Sequence, residues 1–170
     1  RLTVMLLERL DQGKVSSEDW DGFLRQTLGG KPLWDVMIRQ MIEAKGEGSS
    51  RPAMKFLGKA DHHAMTESVA RVLLGMDLTC AKCHDHPSVK EWKQAHYWGL
   101  FAYLNQTKQA TAKKENKVYL VESLATKKVE FESVFDLEKM ITGPRLPNGE
   151  EVEVPQFEKG EEYDKPAEDG

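Results

Sequence analysis

The chain has 170 residues and a mass of 19.3 kDa, enough for one domain with a core of its own. Its composition, 39% hydrophobic and 31% charged, is that of a globular protein, and no run approaches the roughly 18 apolar residues of a membrane-spanning helix. A net charge of −4 and a pI of about 5.8 supply no global field for nucleic acid or an anionic membrane.

Residues 2–10 read as a short helix with Leu2, Met5, Leu6 and Leu10 inward, ended by Gly13. Ser16 and Ser17 can cap a second helix whose first turn carries Glu18 and Asp19. Trp20, Phe23, Leu24, Thr27 and Leu28 then recur at helical spacing up to Gly29-Gly30. Pro32 suits the start of a third helix, with Leu33, Trp34, Met37, Ile38, Met41 and Ile42 on one stripe. AKGEGSSRP, 44–52, reads as a loop or hinge. Asp61 can cap a fourth helix with Met65, Val69, Val72, Leu73 and Met76 on one face; His62 shares that face and His63 does not.

A fifth helix is expected over about 88–104, started by Pro87-Ser88 and striped by Val89, Trp92, His96, Leu100 and Tyr103. Residues 108–117 are lysine-rich and read as a loop. KVYLVES (117–123) and KVEFESVF (128–135) alternate like strands, and a third short strand is expected after the turn residues that begin at Gly143. The last residues are acidic and nearly free of apolar groups.

Both cysteines fall in TCAKCHDHP, 79–87. Two cysteines cannot build a disulfide framework, but Cys80, Cys83 and His84 form C-x-x-C-H. In c-type haem attachment two thiols add to the two vinyl groups of haem, and the histidine next in sequence supplies a neutral imidazole nitrogen to the iron. The pattern is short. An apolar-faced helix before it and an aromatic-rich helix after it add weight. Two rivals use the same residues. Zinc could take Cys80, Cys83 and His86 with His62, His63 or His84, and the thiols alone could act as a disulfide-exchange pair.

The stretch 71–104 resembles the core of a planctomycete-specific cytochrome domain family, long catalogued as a domain of unknown function. The resemblance is carried by Leu73-Leu74-Gly75, by Cys80-Ala81-Lys82-Cys83-His84-Asp85-His86-Pro87, by Trp92 and by Tyr97-Trp98-Gly99-Leu100. ESVFDLEKMITGPRLPNGEEV, 132–152, is similar to a later signature of that family. The resemblance implies a c-type cytochrome-like domain of exported, often multidomain bacterial proteins, in the periplasm or at the cell surface, where haem is attached covalently. It implies no firm activity.

The expected fold is therefore mainly α: about five helices around a haem, with a small β-rich C-terminal segment (α+β). Residues 1–107 would form the helical haem-binding core, 108–155 the lysine-rich loop and short-strand extension, and 156–170 an acidic flexible tail or linker. One covalent haem c is expected on Cys80 and Cys83, with His84 as proximal iron ligand. The distal candidates are His62, His63 and His96, with Met65 and Met76 as further options. Asp85 and His86 are assigned to the turn, with His86 alternatively bonding a propionate, and Trp92 to its support. Arg51, Arg71 and Lys82 are possible propionate partners. Electron transfer to an unidentified redox protein is the favoured role, with no nucleic acid and no membrane span in this segment. The alternatives are a haem enzyme with an open or displaceable sixth ligand, peroxidase-like, and a zinc-stabilised interaction module.

Overall fold

The computed structural model describes residues 1–8, 15–30, 33–58, 61–112, 117–123, 127–135, 137–158 and 161. The expectations placed on Leu10, Gly13, Pro32 and most of the 156–170 tail lie outside the described residues. The chain divides into two compact units. One is Arg1–Ser68 with Lys108–Val121, and the other is Val69–Thr107 with Glu122–Gly170.

In the first unit, helix α1 (Leu2–Leu7) buries Leu6 and Leu7, while Met5 faces solvent rather than the expected core. Helix α2 (Ser17–Leu28) starts where its sequence says: the Ser16 hydroxyl accepts from the Asp19 N–H at 3.0 Å, satisfying an orphan donor of the first turn. It buries Trp20 and Leu24. Helix α3 (Trp34–Glu43) buries Met37 and Met41 but leaves Trp34 partly exposed. The expected loop at 44–52 runs instead into a 3₁₀ helix, Gly48–Lys55. Pro52 within it donates no N–H, and residues 53–58, from Ala53 to Gly58, are all buried. This short run is the part of the core that periodicity does not show, because so few residues cannot display a helical stripe. Burying Phe56 and Met54 there contributes about 1.5–3 kcal/mol each.

Arg51 Nη1 donates to the carbonyls of Gly46 and Val118, both at 3.0 Å, and the Lys45 carbonyl accepts from the Leu120 N–H. These bonds tie a two-stranded sheet to the helices. Its strands are β1 (Thr107–Ala112) and β2 (Lys117–Glu122). β1 occupies the first half of the expected lysine-rich loop, 108–112. TKQATA lacks the apolar alternation that marks a strand, and its partner holds it instead. Helix α4 (His62–Ser68) is capped by Asp61, whose carboxylate accepts from the His63 N–H at 2.9 Å.

The second unit opens with a π-helical turn, Val69–Leu73, which widens the register and breaks the single apolar face expected from Met65 to Met76. Gly75, at φ 67, ends it in the left-handed conformation glycine adopts without cost, and the Met76 N–H reaches back to the Ala70 carbonyl. Helix α5 (Gln94–Leu104) is the centre of this unit. Gln94, His96, Tyr97, Gly99, Leu100, Ala102 and Leu104 are buried, covering nearly every side of the helix. It begins six residues later than expected, after Lys93 in extended conformation.

An antiparallel hairpin packs on α5. In it β3 (Val129–Glu132) pairs with β4 (Lys139–Thr142) in the register Phe131↔Met140. The Phe131 ring stacks on Trp98, centroids 5.9 Å apart at 13°. The third strand thus precedes the T-G-P-R-L-P-N-G turn instead of coming after it. That turn is closed by Gly149 N–H to Leu146 carbonyl at 2.9 Å, with Asn148 left-handed at φ 62. Gly99 and Arg145 meet where the turn lies on α5: a Cβ on Gly99 would stand 2.1 Å from the Arg145 Cγ. The fold is mainly helical with two small two-stranded sheets, the α+β arrangement expected.

Candidate functional site

Ahead of the C-x-x-C-H motif, Asp77 Oδ1 accepts from the Thr79 hydroxyl at 2.6 Å and from its N–H at 3.2 Å. Arg71 lies 3.6 Å from the same carboxylate oxygen. The Thr79 hydroxyl, then burial in the opposite sense, then Arg71, leave the Asp77 carboxyl below the usual aspartate range. Leu78 is fully buried and anchors the entry.

Cys80–Lys82 then form a 3₁₀ turn, with the Cys83 and His84 N–H groups both donating to the Cys80 carbonyl. Residues three apart eclipse in a 3₁₀ turn, so Cys80 and Cys83 share one side of it. Both are free thiols and both are exposed, while Ala81 between them is completely buried.

The turn is held from behind by α5 and the hairpin. The Lys82 carbonyl accepts from Gln94 Nε2 at 3.2 Å and from the Trp98 indole N–H at 3.1 Å. Gln94 Nε2 also donates to the Glu132 carbonyl at 2.9 Å. The Cys83 carbonyl accepts from the Val134 N–H at 3.1 Å.

Asp85, His86 and Trp92 fix the chain between the motif and α5. Asp85 accepts from the Gln94 N–H and the Lys93 ammonium, each at 2.9 Å. Burial opposes its ionisation, but Lys93 and the Gln94 N–H outweigh that and keep the carboxyl below its usual range. His86 Nδ1 accepts from the N–H groups of Ser88 and Val89, its backbone N–H donates to the Trp92 carbonyl, and its ring meets Trp92 edge-on at 5.0 Å. These bonds hold residues 86–92 as a succession of turns, and α5 begins only after Lys93 in extended conformation. Asp85 and His86 are thus turn-forming residues, and Trp92 supports the turn.

His84 differs from both Asp85 and His86. Its Nδ1 lies 2.7 Å from the carbonyl oxygen of Asp85. A carbonyl only accepts, so Nδ1 carries the proton and Nε2 of the neutral ring keeps its lone pair. A metal-binding histidine is commonly fixed in this way. The ring packs against Phe135, centroids 5.2 Å apart.

The distal candidates lie in different places. His96 shares a unit with the motif, but its Nδ1 accepts from the Lys93 N–H at 3.2 Å, capping α5. That assigns the proton to Nε2, the reverse of His84. Burial, then Arg145, keep the His96 ring below the usual histidine range, against the pull of Asp85. His62 and His63 belong to the first unit, at the start of α4. Met65 is buried there, and Met76 is half-buried in the second unit. Arg51 is engaged by the Gly46 and Val118 carbonyls and Arg71 by Asp77, while Lys82 is half-buried.

Among the described residues no group of three or more His, Cys, Asp or Glu side chains converges as a metal cage. The Cys₂His₂ set considered for zinc is therefore not gathered, and His86 already spends its Nδ1 on two backbone donors. The residue that pattern reading missed is Gln94. Its signal was a polar side chain opening an otherwise apolar helix, QAHYWGLFAYL.

The fold and the turn define a mainly helical α+β protein with a rigidly held C-x-x-C-H segment. Residues 8–109 match the PSCyt2 family, described as a protein of unknown function (DUF1549), and the chain belongs to that family. No curated protein and no solved structure matches it. No described helix is long and apolar enough to cross a membrane.

Proposed function

We propose that this chain is a c-type cytochrome-like domain that carries one haem covalently on Cys80 and Cys83, with His84 as proximal ligand, and serves electron transfer. The observation that carries the reading is the 3₁₀ turn. It presents two exposed thiols on one side, and next to them an imidazole whose Nδ1 is tied to a backbone carbonyl and whose Nε2 is left as an acceptor. Each thiol adds its S–H across one vinyl double bond, forming one C–S and one C–H bond with no net oxidation. The haem, once held, supplies a one-electron Fe(III)/Fe(II) couple. Gln94, Trp98 and Asp85 hold the turn in place.

Covalent attachment of this kind belongs outside the bacterial cytoplasm, so the reading carries an extracytoplasmic location and a redox partner protein with it. Electron transfer is favoured over a peroxidase-like enzyme by the motif region itself. There the His96 Nδ1 is spent on the α5 cap and Arg71 is committed to Asp77 and Thr79.

The test is expression with a c-type haem maturation system, then a covalent haem stain and an absorption spectrum. Haem retained under denaturing conditions, and lost in the Cys80→Ala/Cys83→Ala double variant, supports the reading; colourless protein overturns it. A six-coordinate low-spin spectrum supports electron transfer, and a high-spin spectrum that responds to cyanide or peroxide supports the enzyme instead. Spectra of His62→Ala, His63→Ala and His96→Ala then identify the sixth ligand.

A further inference from the structure

We propose that residues 133–135 and Leu137, in the connection between β3 and β4 and outside the family-matched residues 8–109, form the apolar wall of the haem site built on Cys80, Cys83 and His84. The proposal rests on the haem reading above and adds to it an element contributed by the hairpin.

The loop joins β3 to β4 and holds three large apolar side chains in water: Val134 at 57%, Phe135 at 75% and Leu137 at 70% exposure. A mobile loop could bury such side chains by folding back. This one is pinned. The Val134 N–H donates to the carbonyl of Cys83, within the motif itself. The Phe135 N–H donates to the Ser133 hydroxyl and the Leu137 N–H to the Ser133 carbonyl, while Ser133 is buried. Leu137 sits at φ 52, a left-handed conformation that a leucine rarely adopts. Exposed apolar side chains on a strained, fixed backbone form a surface shaped for an occupant.

The identity of the occupant comes from the groups that adjoin the loop. Phe135 packs on the imidazole of His84, and the Cys83 carbonyl is the loop's own anchor. An apolar body tethered through two exposed thiols beside that imidazole is a porphyrin macrocycle. The wall keeps water from the His84 side of the site, and such exclusion raises the potential of a haem iron.

The hairpin supplies an internal control. Phe131 and Met140 are register partners on the face that meets Trp98. Ile141 pairs with Glu130 one position along, so it projects from the opposite face, and it is 59% exposed. Phe135→Ser, Leu137→Ser and Ile141→Ser all replace exposed side chains, so the fold survives, as far-UV circular dichroism will show.

Two measurements are made on the full chain. In the haem-loaded protein, a spectroelectrochemical titration should give a lower midpoint potential for Phe135→Ser and no shift for Ile141→Ser. In the Cys80→Ala/Cys83→Ala background, haemin is titrated against tryptophan fluorescence. Phe135→Ser and Leu137→Ser should weaken its binding by about fivefold or more, each losing part of an apolar contact, and Ile141→Ser should not. If the parent chain takes up haem and neither loop variant moves potential or affinity, the wall is wrong while the haem assignment stands. If the parent chain neither attaches nor binds haem, the haem assignment itself fails and takes the wall with it.

Discussion

The indole N–H of Trp98 and the side-chain amide of Gln94 converge on one acceptor, the carbonyl oxygen of Lys82, at 3.1 and 3.2 Å. Lys82 is the last residue before the second motif cysteine, so α5 grips the motif by its backbone. Trp98→Phe leaves an aromatic ring facing Phe131 but removes the donor and part of the indole's packing. It should cost about 1–3 kcal/mol. Gln94→Leu also strips the Glu132 carbonyl of this donor and should cost about 1–3 kcal/mol. The double variant should lose more than the sum, because only then do both side-chain donors to the Lys82 carbonyl disappear. Urea unfolding of the haem-free chain, monitored by circular dichroism, measures all three; strict additivity would mean that the two donors do not share a role.

Gly99→Ala tests the seat of the T-G-P-R-L-P turn on α5. Alanine gains about 1 kcal/mol of helix propensity at an interior position. Here its methyl would stand 2.1 Å from the Arg145 Cγ, and the Arg145 N–H is bonded to the Gly99 carbonyl, so the neighbour cannot simply swing away. Overpacking of this kind costs about 1–3 kcal/mol. The melting temperature of Gly99→Ala should fall rather than rise, as differential scanning calorimetry will read.

His96 makes stability depend on pH near neutrality. Its folded-state pKa lies below the ordinary 6.5, so between those two values the unfolded chain binds a proton that the folded chain refuses. Stability is therefore full above 6.5 and declines as pH falls through that window. His96→Gln keeps an acceptor for the Lys93 N–H, as in a capping box, and removes the titration. Urea midpoints at several pH values should slope for the parent chain across this window and be flatter for His96→Gln.

Asp85 gives the acid limb. Its carboxyl titrates below the ordinary 3.8 in the folded state, so its contribution is present above that value and is lost as pH drops beneath it. Asp85→Asn retains an oxygen for the Gln94 N–H and loses the Lys93 pair, which is half in solvent. The loss at neutral pH should be under about 1 kcal/mol, and the acid limb of the stability curve should become shallower. An unchanged acid limb would exclude Asp85 as its source.

Residue order alone located the C-x-x-C-H turn, because spacing in a short motif does not depend on the rest of the fold. The caps by Ser16 and Asp61 were equally legible, since a cap is a local bond. Features decided by a distant partner could not be read. β1 is a strand through its pairing with β2, despite a sequence without alternation. α5 starts at Gln94, whose N–H is taken by Asp85 nine residues earlier, so the expected helical face at Val89 and Trp92 is a bend. Gln94 looked like an ordinary polar residue because its acceptors lie 12 and 38 positions away. Phe135 was visible as part of a signature, but its packing on His84 exists only in three dimensions.

The two spacer positions inside the motif have opposite freedoms. Ala81 has no solvent exposure, so anything larger than a methyl must displace the packed interior beneath the turn. Lys82 contributes its carbonyl to α5, and every amino acid has one. A saturation library across the pair should therefore return a narrow set of small residues at the first spacer and a broad set at the second. The same asymmetry makes C-A-x-C-H a sharper search string than C-x-x-C-H for chains that build this turn.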